Sequence, residues 1–367
     1  MTTRSIADAL ANTAHEFPFL GKITAQDLLD IVRMELGHED ILDGFAPYGK
    51  HQARAFAPET ILHIVSGNTP HAALQSLIRC LLLNTHNLVK IPRTGLREVE
   101  EFTQKLPAEL QAKVEIATEL TDAWITQAGA VIVFGSDETI HAIRSRVPAS
   151  KPFFAHGHRV SFGIVYEDPT FASTVDAAQD ASLFDQQGCL SPHIFYIREQ
   201  KPGDAIRYAG QLAKEMEAFQ EKHPRGALSA EEAAEIFHLR TSYRFRAAND
   251  VRVACWESVG NDAWTVIYED DPWFVASCLN RVVYVKPLPD NLETFLTPVR
   301  QWLGAIGIWP CEPRFVENLA TLGASRICAI GQMQSPPFTW HQENSQTLAN
   351  LVHWVDFEPS SPIESKS

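Results

Sequence analysis

The chain has 367 residues, of which 45% are hydrophobic and 21% charged, a composition typical of folded globular proteins and unlike disordered or collagen-like ones. This length predicts two domains, each large enough to bury its own core. Its 45 acidic side chains outnumber the 31 basic ones, giving a formal net charge of −14. That charge argues against nucleic acid or an anionic membrane surface as the main partner.

Targeting signals and cysteine pairs are not recognisable in the sequence. No apolar run approaches the roughly 18–20 residues of a spanning helix, so we expect no integral membrane segment. The first 19 residues contain no apolar core of a secretory signal, which predicts a cytoplasmic protein. The six cysteines form no CxxC pair and are expected to be free thiols.

The first part of the chain predicts helices followed by an open parallel sheet. Apolar residues at helical spacing in the first fifty residues indicate an amphipathic cap of short helices. Continuous apolar runs then alternate with helical periods, which is typical of a doubly wound α/β fold. The predicted strands are 60–65, 87–91 and 129–134, and the predicted helices 71–83, 96–106 and 137–145.

A second α/β pattern follows near residue 151. Its predicted strands are 162–166, 194–197, 251–256, 264–268, 281–286 and 323–331, and its predicted helices 170–185, 204–221 and 230–239. We therefore predict a first domain over 1–152, a second over 153–339, a return of 340–357 to the first, and a disordered polar tail over 358–367.

Cys189 is the best candidate nucleophile. It lies in the turn Gln186-Gln187-Gly188-Cys189 between a predicted helix and a predicted strand, flanked by glycine and polar residues. A thiolate is strongly nucleophilic and forms a reactive thioester with an acyl group. The alternative is a buried loop cysteine, and the negative end of a helix finishing at Gly188 would raise the thiol pKa.

Three loops follow strands of the first domain and lie at one sheet edge. Asn68 in SGNTP carries an amide that can stabilise an oxyanion, or it forms a local turn before proline. Lys90 and Arg93 provide two cations that suit a ribose phosphate, or they form a solvated rim pair. Gly135-Ser136 lacks the GxGxxG spacing and is a weak signal alone.

Three histidines lie near the domain boundary and the cysteine turn, where a zinc site is one interpretation. His156 and His158 form an HxH pair, and His193 follows Cys189. No carboxylate or cysteine at ligand spacing accompanies them, so we expect no metal there and assign acid, base or packing roles.

The order of these motifs carries more information than any one of them. HIVSGNTP, NLVKIPR, VIVFGS, HGHRVSFGIV, FDQQGCLSPH, GASRICAIGQM and LVHWVDFE, spread over about residues 55–357, resemble the LuxC-type acyl-CoA reductases, a divergent branch of the aldehyde dehydrogenase superfamily. The resemblance implies an aldehyde-dehydrogenase-like fold: two Rossmann-like open parallel-sheet domains, the first binding NAD(P), with the active site in the cleft between them.

The resemblance also implies roles for single residues. Cys189 matches the catalytic thiol, and Asn68 the oxyanion-hole amide. Lys90 matches the lysine that contacts the adenosine ribose, and Gly135-Ser136 the pair opening the helix beside the cofactor pyrophosphate. Arg93 stands where NAD-preferring relatives often carry glutamate, which favours NADPH, with NADH possible.

The predicted reaction is a reduction of a fatty acyl-CoA or acyl-protein thioester to the aldehyde through an acyl-cysteine. Phe154–His158 lacks the glutamate base of hydrolytic aldehyde dehydrogenases, so attack of water on the acyl-enzyme should be slow. The resemblance further implies a homo-oligomer and an acyl-protein synthetase partner. The alternatives are a catalytically idle acyl carrier or scaffold, and an aldehyde-oxidising dehydrogenase using His156 or His158.

Overall fold

The computed structural model describes residues 1–67 and 70–358, which form two compact units. One comprises Met1–His158 with Pro337–Ser367, and the other is the continuous segment Arg159–Pro336. The second unit is thus inserted into the first. No helix in the described ranges has the length and apolarity needed to cross a membrane.

The elements are numbered in chain order. The strands are β1 Ala46–Tyr48, β2 His51–Phe56, β3 Thr60–Ile64, β4 His86–Lys90, β5 Val114–Ala117, β6 Ala130–Phe134, β7 Phe153–His156, β8 Val160–Val165, β9 Pro192–Ile197, β10 Val253–Glu257, β11 Thr265–Glu269, β12 Val282–Pro287, β13 Leu303–Trp309, β14 Arg326–Ala329 and β15 His353–Phe357. The α-helices are α1 Thr3–Ala14, α2 Ala25–Leu36, α3 Pro70–Leu82, α4 Arg97–Lys105, α5 Ala108–Gln111, α6 Asp122–Gln127, α7 Asp137–Arg144, α8 Ser173–Ser182, α9 Asp204–Lys222, α10 Ala230–Asn249, α11 Leu292–Leu296, α12 Pro313–Ala320 and α13 Thr347–Leu351.

The first unit is built on a five-stranded sheet with the order β5-β4-β3-β6-β7, all parallel. Strands β3 and β6 are buried along their whole length, as expected for continuous apolar runs in a sheet covered on both faces. The chain runs outward from β3 in one direction and from β6 in the other. The order therefore reverses between β3 and β6, where ligands of open α/β sheets bind beyond the carboxyl ends.

Two short strands complete this sheet at its edges. The predicted second domain begins at residue 153, but β7 (Phe153–His156) pairs in parallel with β6, with His156 opposite Phe134. The first unit consequently continues to His158. β5 was not predicted, and it pairs with β4 at the other edge.

The second unit contains a seven-stranded sheet with the order β10-β11-β12-β9-β8-β13-β14. Only the edge strand β10 is antiparallel among the pairs in this sheet. Ala177 of α8 and Tyr208 of α9 are fully buried in one core cluster, while Ile236 and Tyr243 of α10 belong to another. Strands β8, β9 and β13, none of which is an edge strand, are buried along almost their whole length.

A third, smaller sheet joins distant parts of the first unit. Strands β1, β2 and β15 pair antiparallel, with Trp354 opposite Ala55. Nearby, the Glu35 carboxylate accepts the backbone N–H groups of Leu348 and Ala349 at the start of α13, at 2.6 and 3.2 Å. The carboxy-terminal segment is thus an integral part of the first unit. The predicted tail over 358–367 lies outside the described residues except for its first residue.

Candidate active site

The chain has six cysteines, and burial separates them into two groups. Cys189 and Cys311 are exposed. Desolvation of the thiolate form raises the thiol pKa of the other four, to about 11 or 12 in three of them and further in the fully buried one. These four are Cys80, Cys255, Cys278 and Cys328. They are poor nucleophiles at neutral pH, which leaves Cys189 and Cys311 as accessible thiols.

Cys189 lies just before the amino end of β9, a central strand of the second unit. Helix α8 ends at Ser182, earlier than the predicted end at residue 185, and a 3₁₀ turn over Leu183–Gln186 follows. Phe184, Asp185 and Gln186 have φ values of 54°, 51° and 62°, in the left-handed region that non-glycine residues rarely adopt. The helix therefore does not end at Gly188, and the turn requires tertiary contacts to hold it.

Gln186 supplies three of these contacts from a fully buried side chain. Its Nε2 donates to the carbonyl oxygens of Pro192 and Val282 at 2.9 and 2.8 Å, and its Oε1 accepts the N–H of Val282 at 2.8 Å. Pro192 begins β9 and Val282 begins β12. One amide thus connects the start of the cysteine turn to its end and to the neighbouring strand.

A second left-handed segment packs against the first. Leu279, Asn280 and Arg281 have φ values of 61°, 58° and 61°. The Arg281 guanidinium pairs with the Asp185 carboxylate at 2.8 Å, and Gln187 Nε2 donates to Asn280 Oδ1 at 3.0 Å. The two unusual backbone segments therefore hold each other through side chains.

Hydrogen bonds from other elements of the second unit hold the backbone at and just after Cys189. Ser161 Oγ in β8 donates to the carbonyl oxygen of Cys189 at 3.0 Å and accepts the Ala305 N–H at 2.9 Å. Gln334 Nε2 donates to Ser191 Oγ at 2.8 Å. The backbone on both sides of Cys189 is thus held while its side chain is exposed. Such a fixed, accessible thiol is suited to nucleophilic attack.

In the first unit, Gly135-Ser136 joins the carboxyl end of β6 to α7, beside the point where the strand order reverses. A Cβ on Gly135 would lie 3.2 Å from Thr139, so the glycine permits a close approach of the loop to the helix. Ser136 is the N-cap of α7 and accepts the Thr139 N–H at 3.3 Å. The helix begins with Asp137 and Glu138, and hydrogen bonds lower the pKa of the Glu138 carboxyl. These acids compete with an anion for this terminus.

Lys90 is the last residue of β4, and Arg93 lies three residues beyond it. Lys90 is partly buried and Arg93 is exposed, and no acidic side chain in the described part of the chain lies within ion-pair distance of either. Two cations without an acidic partner at a strand end suit a phosphate group. An anionic group is therefore electrostatically favoured here over the acidic start of α7.

Of the remaining predicted residues, Asn68 lies outside the described residues. His193 is buried in β9, where its Nδ1 accepts the N–H of Ser277 at 3.0 Å, a packing role. Within residues 1–67 and 70–358, no group of three or more histidine, cysteine or acidic side chains is arranged to hold a metal ion.

Three supporting residues were not identified from the sequence. Gln186 belongs to the QQGC motif, but its role depends on Val282, far along the chain. Ser161 and Gln334 lie on other elements of the second unit. Only the motif itself, which places two glutamines before the cysteine, contained a signal for any of them.

Solved structures with a similar fold are aldehyde dehydrogenases. The putative aldehyde dehydrogenase PutA from Anabaena variabilis aligns with a TM-score of 0.65 and 14% identity, over 99% of this chain and 90% of that one. The indole-3-acetaldehyde dehydrogenase AldA of P. syringae, in complex with NAD+ and IAA, aligns with a TM-score of 0.68 and 11% identity, over 97% and 84%. The aldehyde-dehydrogenase-like α/β fold expected from the sequence is thereby confirmed.

Sequence relatives identify the family more closely. The long-chain acyl-protein thioester reductase of Aliivibrio fischeri is 25% identical over 348 residues, covering 90% of this chain and 70% of that protein. The long-chain acyl-protein thioester reductase 2 of Photobacterium leiognathi is 24% identical over 357 residues, covering 92% and 72%. The model of the family "Acyl-CoA reductase (LuxC)" matches residues 19–354. The chain therefore belongs to the acyl-CoA reductase (LuxC) family and is an oxidoreductase acting on acyl groups.

Proposed function

We propose that this reductase converts a long-chain fatty acyl thioester, carried by CoA or by a protein, to the aldehyde through an acyl group on Cys189, with NADPH as reductant. The relatives named as long-chain acyl-protein thioester reductases support this substrate class. The single observation that carries the proposal is the Cys189 turn, which exposes one thiol on a backbone fixed by Gln186 and Ser161.

The acylation step is derived from this turn. Cys189 Sγ attacks the carbonyl carbon of the thioester, a new C–S bond forms, and the C–S bond to the carrier breaks. The carrier leaves as a thiol with the proton that Cys189 loses. The Asn68 amide and the backbone N–H of Cys189 are the proposed donors to the oxyanion, and losing one such donor typically costs about 10²–10³ in rate.

Lys90 and Arg93 are the proposed contacts for the cofactor. Their cationic groups lie at the end of β4 without an acidic partner in the described ranges, which fits a phosphorylated ribose. When bound, the nicotinamide cofactor supplies the two electrons that reduce the acyl group. Gly135 and Ser136 are the proposed neighbours of its pyrophosphate, and the carboxylates of Asp137 and Glu138 that follow them oppose an anion at this helix start.

Labelling with radioactive acyl-CoA tests the nucleophile. We expect label on Cys189 and a stoichiometric release of CoA without cofactor. Cys311→Ala is the matched control because Cys311 is the other exposed thiol, and it is expected to label normally. Label that persists in Cys189→Ala would refute the assignment.

Addition of NADPH tests the reduction. The acyl-enzyme is expected to release aldehyde as NADPH is consumed. Acylation without NADPH consumption would instead support an idle acyl carrier. Production of free acid from an aldehyde and NAD(P)+ as the principal activity would support an oxidising dehydrogenase.

A further inference from the structure

Helix α10 is apolar on two opposite faces. Ile236 and Tyr243 on its inner face are buried in the core of the second unit. Phe237 and Phe245 on its outer face are 58% and 73% exposed, more than any other phenylalanine in the described part of the chain. A helix at the surface of a globular protein normally has one apolar face and one polar face. The outer face of α10 therefore has the composition of a contact surface.

The exposed residues of this outer face form a pattern that is the same in both directions along the helix. Thr241 is at the centre, Phe237 and Phe245 lie four residues to either side, and Ala234 and Ala248 lie seven residues to either side. These spacings put all five residues on one face, which we call the outer stripe. In an antiparallel pair of α10 helices centred on Thr241, each phenylalanine is level with a phenylalanine of the other copy, and each alanine with an alanine. A surface that is complementary to itself is what a two-fold symmetric dimer requires.

The charges beside the outer stripe favour the antiparallel direction. Glu231 and Glu235, in the first half of α10, are exposed and have no ion-pair partner among residues 1–67 and 70–358. Arg244 and Arg246 are exposed in the second half, and each contacts a carboxylate of its own unit, which fixes its position. Antiparallel helices place the acidic half of one beside the basic half of the other. Parallel helices would bring like charges together.

The inner side of α10 is held firmly, so the outer stripe is a preformed surface. Arg240 is buried, and its guanidinium donates to the carbonyl oxygens of Asn261 and Trp264 at 2.8 and 2.7 Å and to Thr265 Oγ1 at 2.9 Å. These bonds connect the middle of the helix to the turn before β11 and to the first residue of that strand. A helix that is already fixed loses little conformational freedom when its outer face is covered.

We propose that two copies of this protein associate through α10, with their outer stripes in contact and the helices antiparallel about a two-fold axis beside Thr241. Stacked phenylalanine rings fill the contact, and the small side chains of Ala234 and Ala248 let the helix ends approach. A 20-residue helix is about 30 Å long, and one pair of such helices buries less than the roughly 1,600 Å² of a standard interface. The dimer is therefore reversible, and its fraction rises with protein concentration.

Cysteine cross-linking tests the position of the axis. All chains carry Cys189→Ala and Cys311→Ala, which remove the two exposed thiols. Thr241→Cys places a thiol on the axis and is expected to give a disulfide-linked dimer under mild oxidation at least about tenfold faster than Ser242→Cys, because a disulfide requires closely facing Cβ atoms. Ser242 is the matched control, since it is also exposed but is turned by about 100° around the helix.

A mixture of two variants tests the direction of the helices. Chains with Phe237→Cys and chains with Phe245→Cys, distinguished by tags of different mass, are oxidised together. Antiparallel pairing puts these two positions at the same level, so disulfides are expected mainly between unlike chains. Parallel pairing would join like chains instead, which would overturn the proposed arrangement.

Sedimentation tests association without cross-linking. The full chain is examined from about 1 to 200 µM, which covers weak interfaces, at an ionic strength that screens the repulsion between two chains of net charge −14. The mass of the wild type is expected to rise with concentration, and Phe237→Gln with Phe245→Gln is expected to lower it toward half at the highest concentration. The circular dichroism spectrum should not change, because both side chains are exposed. Met34→Gln, on a 55% exposed residue of α2, is the control and should associate as the wild type does.

None of these measurements uses a substrate or a cofactor, so their outcome is independent of the proposed function. Equal cross-linking rates for Thr241→Cys and Ser242→Cys would overturn the inference. A wild-type mass equal to that of the double phenylalanine variant at every concentration would overturn it too. Binding of the wild type but not of this variant to neutral lipid vesicles, without any self-association, would assign the outer stripe to a lipid surface instead.

Discussion

Ser161 Oγ donates to the carbonyl oxygen of Cys189 at 3.0 Å while accepting the Ala305 N–H at 2.9 Å, so one hydroxyl joins the peptide group of the proposed nucleophile to two strands. Gly304 lies at the same point, where a Cβ would come within 2.8 Å of Ser161 Oγ and 3.2 Å of the Cys189 carbonyl oxygen. The backbone of the proposed nucleophile is therefore positioned by the centre of the sheet.

Removal of this hydroxyl is expected to affect both stability and acyl transfer. Ser161→Ala leaves a carbonyl and an N–H without their partner, which should lower the free energy of unfolding by about 1–3 kcal/mol. Misplacement of the thiol should reduce acyl transfer by about tenfold to a hundredfold. Urea unfolding and single-turnover acylation measure the two effects.

Ser182→Ala provides the matched comparison for this prediction. Ser182 is also buried, but its Oγ has no hydrogen-bond partner among the described residues. Its loss should change the free energy of unfolding by less than about 0.5 kcal/mol or increase it. Equal losses in both variants would contradict the role assigned to Ser161.

The two glutamines of the QQGC turn are expected to contribute unequally to the free energy of unfolding. Gln186→Leu removes three hydrogen bonds to the backbone of Pro192 and Val282 and should lower the free energy of unfolding by several kcal/mol, about 1–3 for each buried group left unpaired. Gln187→Leu removes one half-buried contact with Asn280 and should cost about 1 kcal/mol. The rate at which iodoacetamide alkylates Cys189, measured in chains that also carry Cys311→Ala, reports the conformation of the turn. An equal effect of the two substitutions on unfolding and alkylation would reject this assignment.

Asp180 is expected to make stability depend on pH. It is fully buried, and desolvation raises its carboxyl pKa from 3.8 to about 7 despite hydrogen bonds from the N–H groups of Gly331 and Met333. The folded chain holds this proton at pH values where the unfolded chain has lost it. The contribution of this group to the free energy of unfolding therefore falls as pH rises from about 4 to 7.

Denaturant unfolding between pH 4 and 8 measures this contribution. Asp180→Asn is expected to remove a slope amounting to a few kcal/mol across that range, because each pKa unit corresponds to about 1.4 kcal/mol. The exposed Asp290→Asn is the control and should retain the wild-type slope. A slope that survives in Asp180→Asn would mean that other groups cause it.

Arg93 is expected to determine cofactor preference. Arg93→Glu replaces a cation at the end of β4 with an anion, which should repel a 2′-phosphate and shift the ratio of kcat/KM for NADPH over NADH toward NADH by at least about tenfold. Arg97→Glu, four residues on in α4, serves as the charge-matched control. A ratio that remains unchanged in Arg93→Glu would assign the phosphate contact to another residue.

The buried strands of the first unit could be predicted because their apolar runs end at turn residues. Strand β13, with the sequence LGAIGIW, was missed although it is buried between β8 and β14 in the second sheet. Its glycines weaken the apolar pattern, yet both are needed for close packing. A Cβ on Gly307 would lie 2.6 Å from Met333 Sδ, and one on Gly304 would meet Ser161. Local patterns do not reveal such requirements of tertiary packing.

Only part of the candidate site could be predicted from the sequence, because the rest depends on tertiary contacts. Cys189 was identifiable because glycine and polar residues flank it in sequence. The left-handed backbone from Phe184 to Gln186 lies where the residue pattern favours a helix, and the contacts that hold it come from Arg281 and Val282. Glu343 became visible as a partner of His156 only once the chain was folded.

The insertion of Arg159–Pro336 into the first unit has a consequence for synthesis on the ribosome. The inserted unit has its whole sequence available when residue 336 emerges from the exit tunnel. The enclosing unit still lacks β15 and the Leu348 segment that Glu35 binds, so its amino-terminal part has to wait for the last strand to be translated. The unit that carries the thiol can therefore mature first in the nascent chain, and the unit proposed to hold the cofactor is completed last.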